Sequence, residues 1–410
     1  MSTGGFFKRT INDVPLAGKV VLVRADYNVP LNDKGEIADD FRIRASLPTI
    51  QALLDRGCKV VVMSHLGRPD GKRDEKYSLE PVARRLGELL SAPVKFIDDC
   101  IGDKVRMGVK TAPMKSVVLL ENVRFYPEEE QNDMEFAKKL AKDSGARYFV
   151  QDGFGVVHRA HASTSAITQY LPSVAGFLLE KEYTAITSAM EHPKHPLVAV
   201  LGGAKVSDKI PLIKALVPKA DTILVGGAMA NTILANAGVK MGKSKIESDQ
   251  GQAIEDVYKA AIAKVGQANE DTFIVLPKDV AVGDTVDESA KRRSVSVDNV
   301  GDSDFALDIG DQTIEEYAKI IEGAKTVIWN GTMGMAELPE FAHGSARIAL
   351  TLAQRPEITS VIGGGDTADF VLHWDAKEGG SFTHVSTGGG ASLELMAGEK
   401  LPGIEALLDA

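Results

Sequence analysis

Arginine recurs at four apolar, β-branched stretches of the chain, as Arg24, Arg68, Arg124 and Arg159. Each has histidine, aspartate or asparagine close by: Asp26, Asn28 and then Arg42 in the first, His65 in the second, Asn122 in the third, Asp152, His158 and His161 in the fourth. The planar guanidinium fork grips carboxylate and phosphate through paired N–H groups. A lone arginine at a strand end is most often a surface ion pair. Four at equivalent topological positions converge in space, and they predict a basic pocket for a small, multiply anionic, hydroxylated ligand. Asp26 and Asn28 suit hydroxyl groups; a turn role for Asn28 is the equal alternative.

A second chemistry begins at Leu201-Gly202-Gly203-Ala204-Lys205-Val206-Ser207-Asp208-Lys209, after the apolar run 197–200 and before a helical pattern. Paired glycines that expose backbone N–H groups ahead of a lysine-bearing helix suit an anion; a plain strand-to-helix turn is the alternative. The same theme returns at Gly226-Gly227, at Trp329 to Gly334 with Glu337 beyond, at Gly363-Gly364-Gly365-Asp366-Thr367, and at Ser386-Thr387-Gly388-Gly389-Gly390. Five glycine loops at strand ends predict a nucleotide crevice. Asp366 either caps the following helix or holds Mg²⁺ on a polyphosphate.

The elements that must position these residues read as alternating strand and helix. Short apolar runs lie at 20–23, 59–63, 117–120 and 148–150, with amphipathic stretches such as 45–56 and 79–90 between them. Runs at 198–201, 222–225, 273–276, 326–329, 360–362 and 384–386 repeat the pattern. The fold class is therefore α/β: two Rossmann-like domains, each a parallel sheet flanked by helices. The boundary is expected within 172–196, where 178–190 reads as a hinge helix closed by Pro193 and Pro196.

At 410 residues, with 44% apolar and 25% charged residues, the chain fits two globular domains of roughly 200 residues each. The formal net charge of −10 argues against nucleic acid or an anionic membrane as partner. The charge is divided unevenly: residues 1–190 carry 27 Lys+Arg against 25 Asp+Glu, and residues 191–410 carry 20 against 32. Thirteen of the 17 arginines lie in the first part and 25 of the 39 glycines in the second, so the two parts look built for different ligands. No apolar run approaches the ~20 residues that cross a bilayer, and 1–9 lacks the apolar core of a signal peptide. Cys58 and Cys100 make neither a disulfide framework nor a zinc site and read as buried thiols. A cytoplasmic protein is expected.

Two familiar motifs nearly occur and fail. Gly238 to Ser244 resembles a P-loop, but three residues rather than four separate the glycines. Gly153-Phe154-Gly155 opens like a dinucleotide fingerprint, but His158 fills the third glycine position. Neither a P-loop NTPase nor a dehydrogenase is supported.

With its loops assembled, the sequence resembles the phosphoglycerate kinase family from about Val14 to the C-terminus. The stretches that carry the resemblance are 24–30, 64–69, 119–125, 158–163, 201–210, 324–334, 363–368 and 384–395. It implies reversible phosphoryl transfer from 1,3-bisphosphoglycerate to ADP, giving 3-phosphoglycerate and ATP in glycolysis, by direct in-line transfer in a cleft formed on domain closure. It implies that Asp26, Asn28, Arg42, His65, Arg68, Arg124 and Arg159 bind the phosphoglycerate. It implies that Lys205, Lys209, Glu337, Gly363, Gly364, Gly365, Asp366 and Thr367 hold the nucleotide, with Asp366 on its Mg²⁺. Arg42, Lys205 and the N–H groups of Gly388 and Gly389 would stabilise the moving phosphoryl group. The implied segments are 1–176 for 3-phosphoglycerate, 177–193 as the hinge, 194–395 for the nucleotide, and 396–410 packing back toward the first domain, in a monomer. A carboxylate leaving group needs no strong general base, so no histidine need move a catalytic proton.

The sequence departs from the family pattern at Gln151, Gly153 and Val157, where the family usually has asparagine, alanine and alanine. It departs again at Thr332, usually proline, and at Ala336, usually aromatic. None of these is a charged site residue. A paralogue without catalysis would be expected to lack Arg42, Lys205 or Asp366, and all three are present.

Overall fold

The computed structural model describes residues 5–410. Residues 1–4, which open the predicted segment 1–176 and the stretch 1–9 read for a signal peptide, lie outside the described residues. The chain divides into two compact units, one running to Thr184 and including Lys400–Ala410, the other Ala185–Glu399.

In the first unit, Val20–Arg24 (β1), Lys59–Met63 (β2), Val94–Ile97 (β3), Val117–Leu120 (β4), Tyr148–Gln151 (β5) and Ser173–Ala175 (β6) form a sheet. Their order is β3-β4-β2-β1-β5-β6 and every pairing is parallel. Helices cover both faces of such a sheet, so its strands read as unbroken apolar runs, and β2 and β4 are buried throughout. Val23, Val62, Leu119 and Val150 meet in one core. Four neighbouring strands, β4-β2-β1-β5, are the ones whose ends carry arginine.

The second unit opens with Leu197–Leu201 (β7), Thr222–Val225 (β8) and Ile274–Val275 (β9). An antiparallel insert follows, Asp279–Gly283 (β10), Arg293–Ser296 (β11) and Phe305–Ile309 (β12). Then Thr326–Asn330 (β13), Thr359–Gly363 (β14) and His384–Val385 (β15) complete a parallel sheet in the order β15-β14-β13-β7-β8-β9. Val200, Leu224, Trp329 and Ile362 form its core with Tyr317. The five strands that end in glycine loops are again consecutive neighbours.

Several elements differ from the sequence reading. The helix expected from 45 begins at Phe41 and runs to Asp55, which puts Arg42 in its first turn. The strand expected at 273–276 shrinks to Ile274–Val275, because Glu270–Phe273 is a helical turn with Glu270 and Asp271 favourably placed at its start. The short strands β3 and β6 and the whole β10–β12 insert were not anticipated.

The helix Phe177–Glu191 spans the boundary between the units. Its start is held by Asp152, at the end of β5: Oδ1 accepts the Leu178 N–H at 3.0 Å and the Thr49 hydroxyl at 3.0 Å. Thr49 Oγ1 in turn accepts the Phe177 N–H at 3.0 Å. Thus the helix that carries Arg42, the strand β5 and the connecting helix share one joint. The segment Lys400–Ala410 belongs to the first unit, where Gly403 N donates to Val157 O at 2.9 Å and Leu408 N to Ser173 O at 3.0 Å. Lys8 Nζ reaches Glu405 O, Leu407 O and the Asp409 carboxylate at 2.8, 2.9 and 2.7 Å. Among the described residues no helix is long and apolar enough to cross a membrane.

Burial lifts the Asp152 carboxyl to about 7, against the hydrogen bonds that favour its ionised form. Between about pH 4 and 7 the folded chain therefore keeps a proton that the unfolded chain has lost, so this group's contribution to stability declines as pH rises through that window. Asp152→Asn retains an oxygen acceptor and removes the buried charge. It is expected to melt a few degrees above the parent at pH 8, with the gap closing below about pH 5. Calorimetry at both pH values checks this; a gap that does not vary with pH would contradict it.

Candidate active site

The first-unit loops are tied to one another by side chains that the sequence singled out. Arg42 Nη1 lies 3.1 and 3.0 Å from Asp26 Oδ1 and Oδ2, and donates to Asn28 O at 3.2 Å. Asn28 Oδ1 accepts the Gly67 N–H at 2.8 Å, so the loops after β1 and β2 are joined. Arg124 Nη1 donates to Gly67 O at 3.1 Å and brings in the loop after β4. Asn122 fixes that loop through Nδ2 to Leu66 O at 2.7 Å and Tyr77 O at 3.0 Å. The loop after β5 passes so close to β1 that a Cβ on Gly153 would sit 3.2 Å from Ala25 C and 3.3 Å from Asp26 N. A Cβ there would need its neighbours to give by a few tenths of an ångström.

Arg68 and Arg159 are exposed, whereas His65 and Arg124 are buried. Among the described residues, Arg124 Nε and the Nδ1 atoms of His158 and His161 are buried without a hydrogen-bond partner. Buried polar groups are normally satisfied, so these vacant donors and acceptors in one loop cluster point to a polar ligand. Burial and the surrounding arginines keep the imidazoles neutral: His65 is held well below the usual histidine range and His161 is pulled down to about 4. A set of neutral histidines among guanidinium cations suits binding of anionic oxygens, not proton abstraction.

In the second unit the glycine loops stack backbone on backbone. Gly202 N donates to Asn330 O at 3.0 Å, Gly203 N to Thr332 O at 3.0 Å, and Gly227 N to Met333 O at 2.8 Å. A Cβ on Gly202 would lie 2.2 Å from Thr332 O and 2.9 Å from Gly331 O. Loop packing therefore requires glycine at 202. Spacing alone leaves anion binding and a plain strand-to-helix turn open for this glycine.

Lys205 is the exposed residue preceding the helix Val206–Leu216. One turn on, Lys209 is buried and its ammonium hydrogen-bonds Asn330 Oδ1. Burial pulls its pKa down to about 8, while Asp208 and Asp366 hold it up against that pull. Thr367 Oγ1 accepts the Gly331 N–H at 2.7 Å. Gly364 N donates to Ser392 Oγ at 3.3 Å, and Gly388 N to Ser386 Oγ at 3.1 Å. Gly389 precedes the short helix Gly390–Met396.

A pocket of about 450 Å³ opens beside these loops, with Gly203, Ala204, Gly227, Glu337 and Asp366 in its wall. Asp366 and Glu337 are exposed, so their carboxylates are open to solvent. Gly363, Gly364, Gly365, Thr367, Gly388 and Gly389 are outside that wall, as are Lys205 and Lys209 at the start of the helix Val206–Leu216. Sequence reasoning missed Lys243, Lys245, Val286, Phe305 and Leu307, which also line the pocket. Lys243 falls within the rejected P-loop stretch, and Lys245 lies just beyond it. The others sit on or beside the unanticipated insert. A larger cavity, about 860 Å³, lies around Ile254, Tyr258 and Leu276 and contains none of the predicted residues.

A family model described as phosphoglycerate kinase matches residues 11–399. The phosphoglycerate kinase of Dictyoglomus turgidum is 47% identical over 405 residues, covering 98% of this chain and 99% of its own. The chloroplastic phosphoglycerate kinase of Volvox carteri is 48% identical over 408 residues, covering 98% of this chain and 86% of its own. The solved phosphoglycerate kinase of Coxiella burnetii superposes with a TM-score of 0.82 at 37% identity, covering 97% of this chain and 98% of its own.

Proposed function

The chain belongs to the phosphoglycerate kinase family, and from that premise we propose which residues perform the transfer. The enzyme is a phosphotransferase with a carboxyl group as acceptor; it moves a phosphoryl group reversibly between 1,3-bisphosphoglycerate and ADP in glycolysis. The reading assigns the phosphoglycerate to the first unit through Asp26, Asn28, Arg42, His65, Arg68, Arg124 and Arg159. The observation that carries it is the group of vacant buried polar atoms on Arg124, His158 and His161, ringed by arginines.

The nucleotide belongs to the second unit, through Lys205, Lys209, Glu337, Gly363 to Gly365, Asp366 and Thr367. Among the described residues only Asp366 and Glu337 offer carboxylates in the pocket wall. Such a sparse donor set fits Mg²⁺ that arrives with the nucleotide and keeps phosphate oxygens and water as most of its ligands. When bound, the ion neutralises phosphate charge.

Phosphoryl transfer needs in-line placement and positive complement around three equatorial oxygens more than it needs a base. Arg42 offers N–H donors beside the acceptor, Lys205 offers a mobile cation from the nucleotide side, and the N–H groups of Gly388 and Gly389 add fixed dipoles. Because each unit takes one substrate, the units must close to exclude water, with Phe177–Glu191 as the hinge. The chain works as a cytoplasmic monomer in this reading.

Two measurements test the assignment. Arg124→Ala is expected to weaken 3-phosphoglycerate binding about tenfold or more while leaving Mg·ADP binding within about twofold, by titration calorimetry. Loss of both affinities together, or of neither, would contradict the division of substrates. The second is pH. As pH rises through about 8, Lys209 in the free protein loses its charge, so ADP affinity is expected to fall by up to about tenfold per unit above that point. A flat affinity profile to about pH 9.5 would take Lys209 off the phosphates.

A further inference from the structure

We propose that Arg24 and Glu129 are positioning residues that hold His65 in its neutral Nε2–H tautomer, so that the phosphoglycerate meets a fixed hydrogen-bond donor. The proposal rests on the assignment of His65 to that substrate.

Arg24 looks like one more basic residue for an anionic ligand, but its side chain is fully buried at the end of β1. Three of its N–H groups are committed inside the protein. Nε donates to Ser163 Oγ at 2.7 Å, Nη1 to Ala25 O at 2.5 Å, and Nη2 to His65 Nδ1 at 3.1 Å. A guanidinium has donors and no acceptor. His65 Nδ1 must therefore accept, which leaves it without a proton and puts the single ring proton on Nε2.

The other side of Arg24 is equally fixed. The Glu129 side chain is also 0% exposed, and its Oε2 lies 3.9 Å from Arg24 Nη2. Glu129 accepts the Ser163 N–H at 2.7 Å through Oε1 and the Ser163 hydroxyl at 2.6 Å through Oε2. Ser163 Oγ thus accepts from Arg24 and donates to Glu129, and the sequence Glu129, Ser163, Arg24, His65 is an unbroken relay. A buried cation without such a partner would be costly, so Glu129 keeps Arg24 charged in place. Asp26 adds attraction to Arg24, and Arg124 opposes it. Burial brings the Arg24 pKa down to about 10, which still leaves it a donor at neutral pH.

Around the ring of His65 the charged and titratable neighbours are Arg24, Arg124, Arg42 and His161, and all oppose a positive imidazole. Protonation at Nδ1 would also set two donors against each other at 3.1 Å. The ring therefore stays neutral where an ordinary histidine would titrate. A neutral N–H orients an anionic substrate oxygen without offering it a proton.

Histidine ¹⁵N spectra of the full-length protein test this without any assay of turnover. The expected result is a pyrrole-type Nε2 and a pyridine-type Nδ1 for His65, with no titration from about pH 8 to pH 5. A protonated Nδ1, or a midpoint near the ordinary histidine value, would overturn the proposal and leave the substrate assignment standing. Arg24→Met combined with Glu129→Gln removes both buried charges together. It is expected to mix the tautomers and raise the KM for 3-phosphoglycerate about tenfold near pH 8, with the loss shrinking below pH 7 because a protonated ring donates from Nε2 in every case, and with the KM for ADP unchanged. An unaltered tautomer and an unaltered, pH-independent KM in that variant would overturn the positioning role. If the tautomer is as stated but His65→Gln leaves the 3-phosphoglycerate KM unchanged, the substrate assignment fails, and the proposed ligand fails with it.

Discussion

Replacing Arg42 by alanine is expected to lower kcat by about 10²- to 10³-fold, the loss typical of removing one donor aimed at developing charge. Two effects add in this position. The transition state loses a cation, and the Asp26 carboxylate, which Arg42 holds through both oxygens, is released toward an anionic substrate. The KM for 3-phosphoglycerate should therefore rise as well. Arg42→Lys restores a positive charge but lacks the guanidinium's further N–H groups beyond the one nitrogen that holds Asp26 and Asn28, so it should recover only part of the rate. Steady-state kinetics beside circular dichroism separates this from unfolding. A kcat within about threefold of the parent would remove Arg42 from the transition state.

Lys205→Ala is the second large effect, a fall in kcat of about 10²-fold or more with little change in melting temperature. Lys205 is exposed, and no hydrogen bond or ion pair of its side chain ties it to the fold among the described residues. Its absence should therefore cost stability almost nothing. Lys209→Ala provides the contrast, because it removes a buried hydrogen-bond partner of Asn330. That change should cost stability and ADP affinity together. If Lys205→Ala instead raised the KM for ADP and spared kcat, the residue would be a ground-state phosphate ligand.

The sequence made the architecture readable wherever burial on both faces leaves a continuous apolar run. Lys59–Met63, Val117–Leu120 and Thr222–Val225 occupy the expected bounds for that reason. Val94–Ile97 escaped because Lys95 interrupts a half-exposed strand, and Ser173–Ala175 because three residues carry too little pattern. Arg293–Ser296 is mostly exposed and charged or polar, so this strand of the insert has no apolar signature, although its neighbours Asp279–Gly283 and Phe305–Ile309 are buried.

The candidate site residues stand out by type and spacing, since arginine and glycine at strand ends mark what parallel sheets bring together. What each does inside the fold does not. Arg24 counted as a pocket cation until its N–H groups were found committed to Ser163, Ala25 and His65. Spacing leaves Gly202 open to anion binding or a plain turn, whereas the carbonyl of Thr332 lies in the space its side chain would fill. Spacing along the chain reports which strand end a residue occupies; only tertiary packing reports what lies 3 Å from it. Lys243 shows the converse, because it lies in a failed motif and the fold still delivers it to the pocket.

The central claim is that Arg42 from one unit and Lys205 from the other act together on the transferred phosphoryl group. The direct measurement is single-turnover ATP formation from 1,3-bisphosphoglycerate and Mg·ADP in the parent, in Arg42→Ala, in Lys205→Ala and in the double variant. Groups that act on one transition state are not additive. The parent should turn over, each single variant should fall by about 10²-fold or more, and the double variant should be far less impaired than the product of the two. Unaltered turnover in both single variants, or no turnover in the parent, would contradict the account.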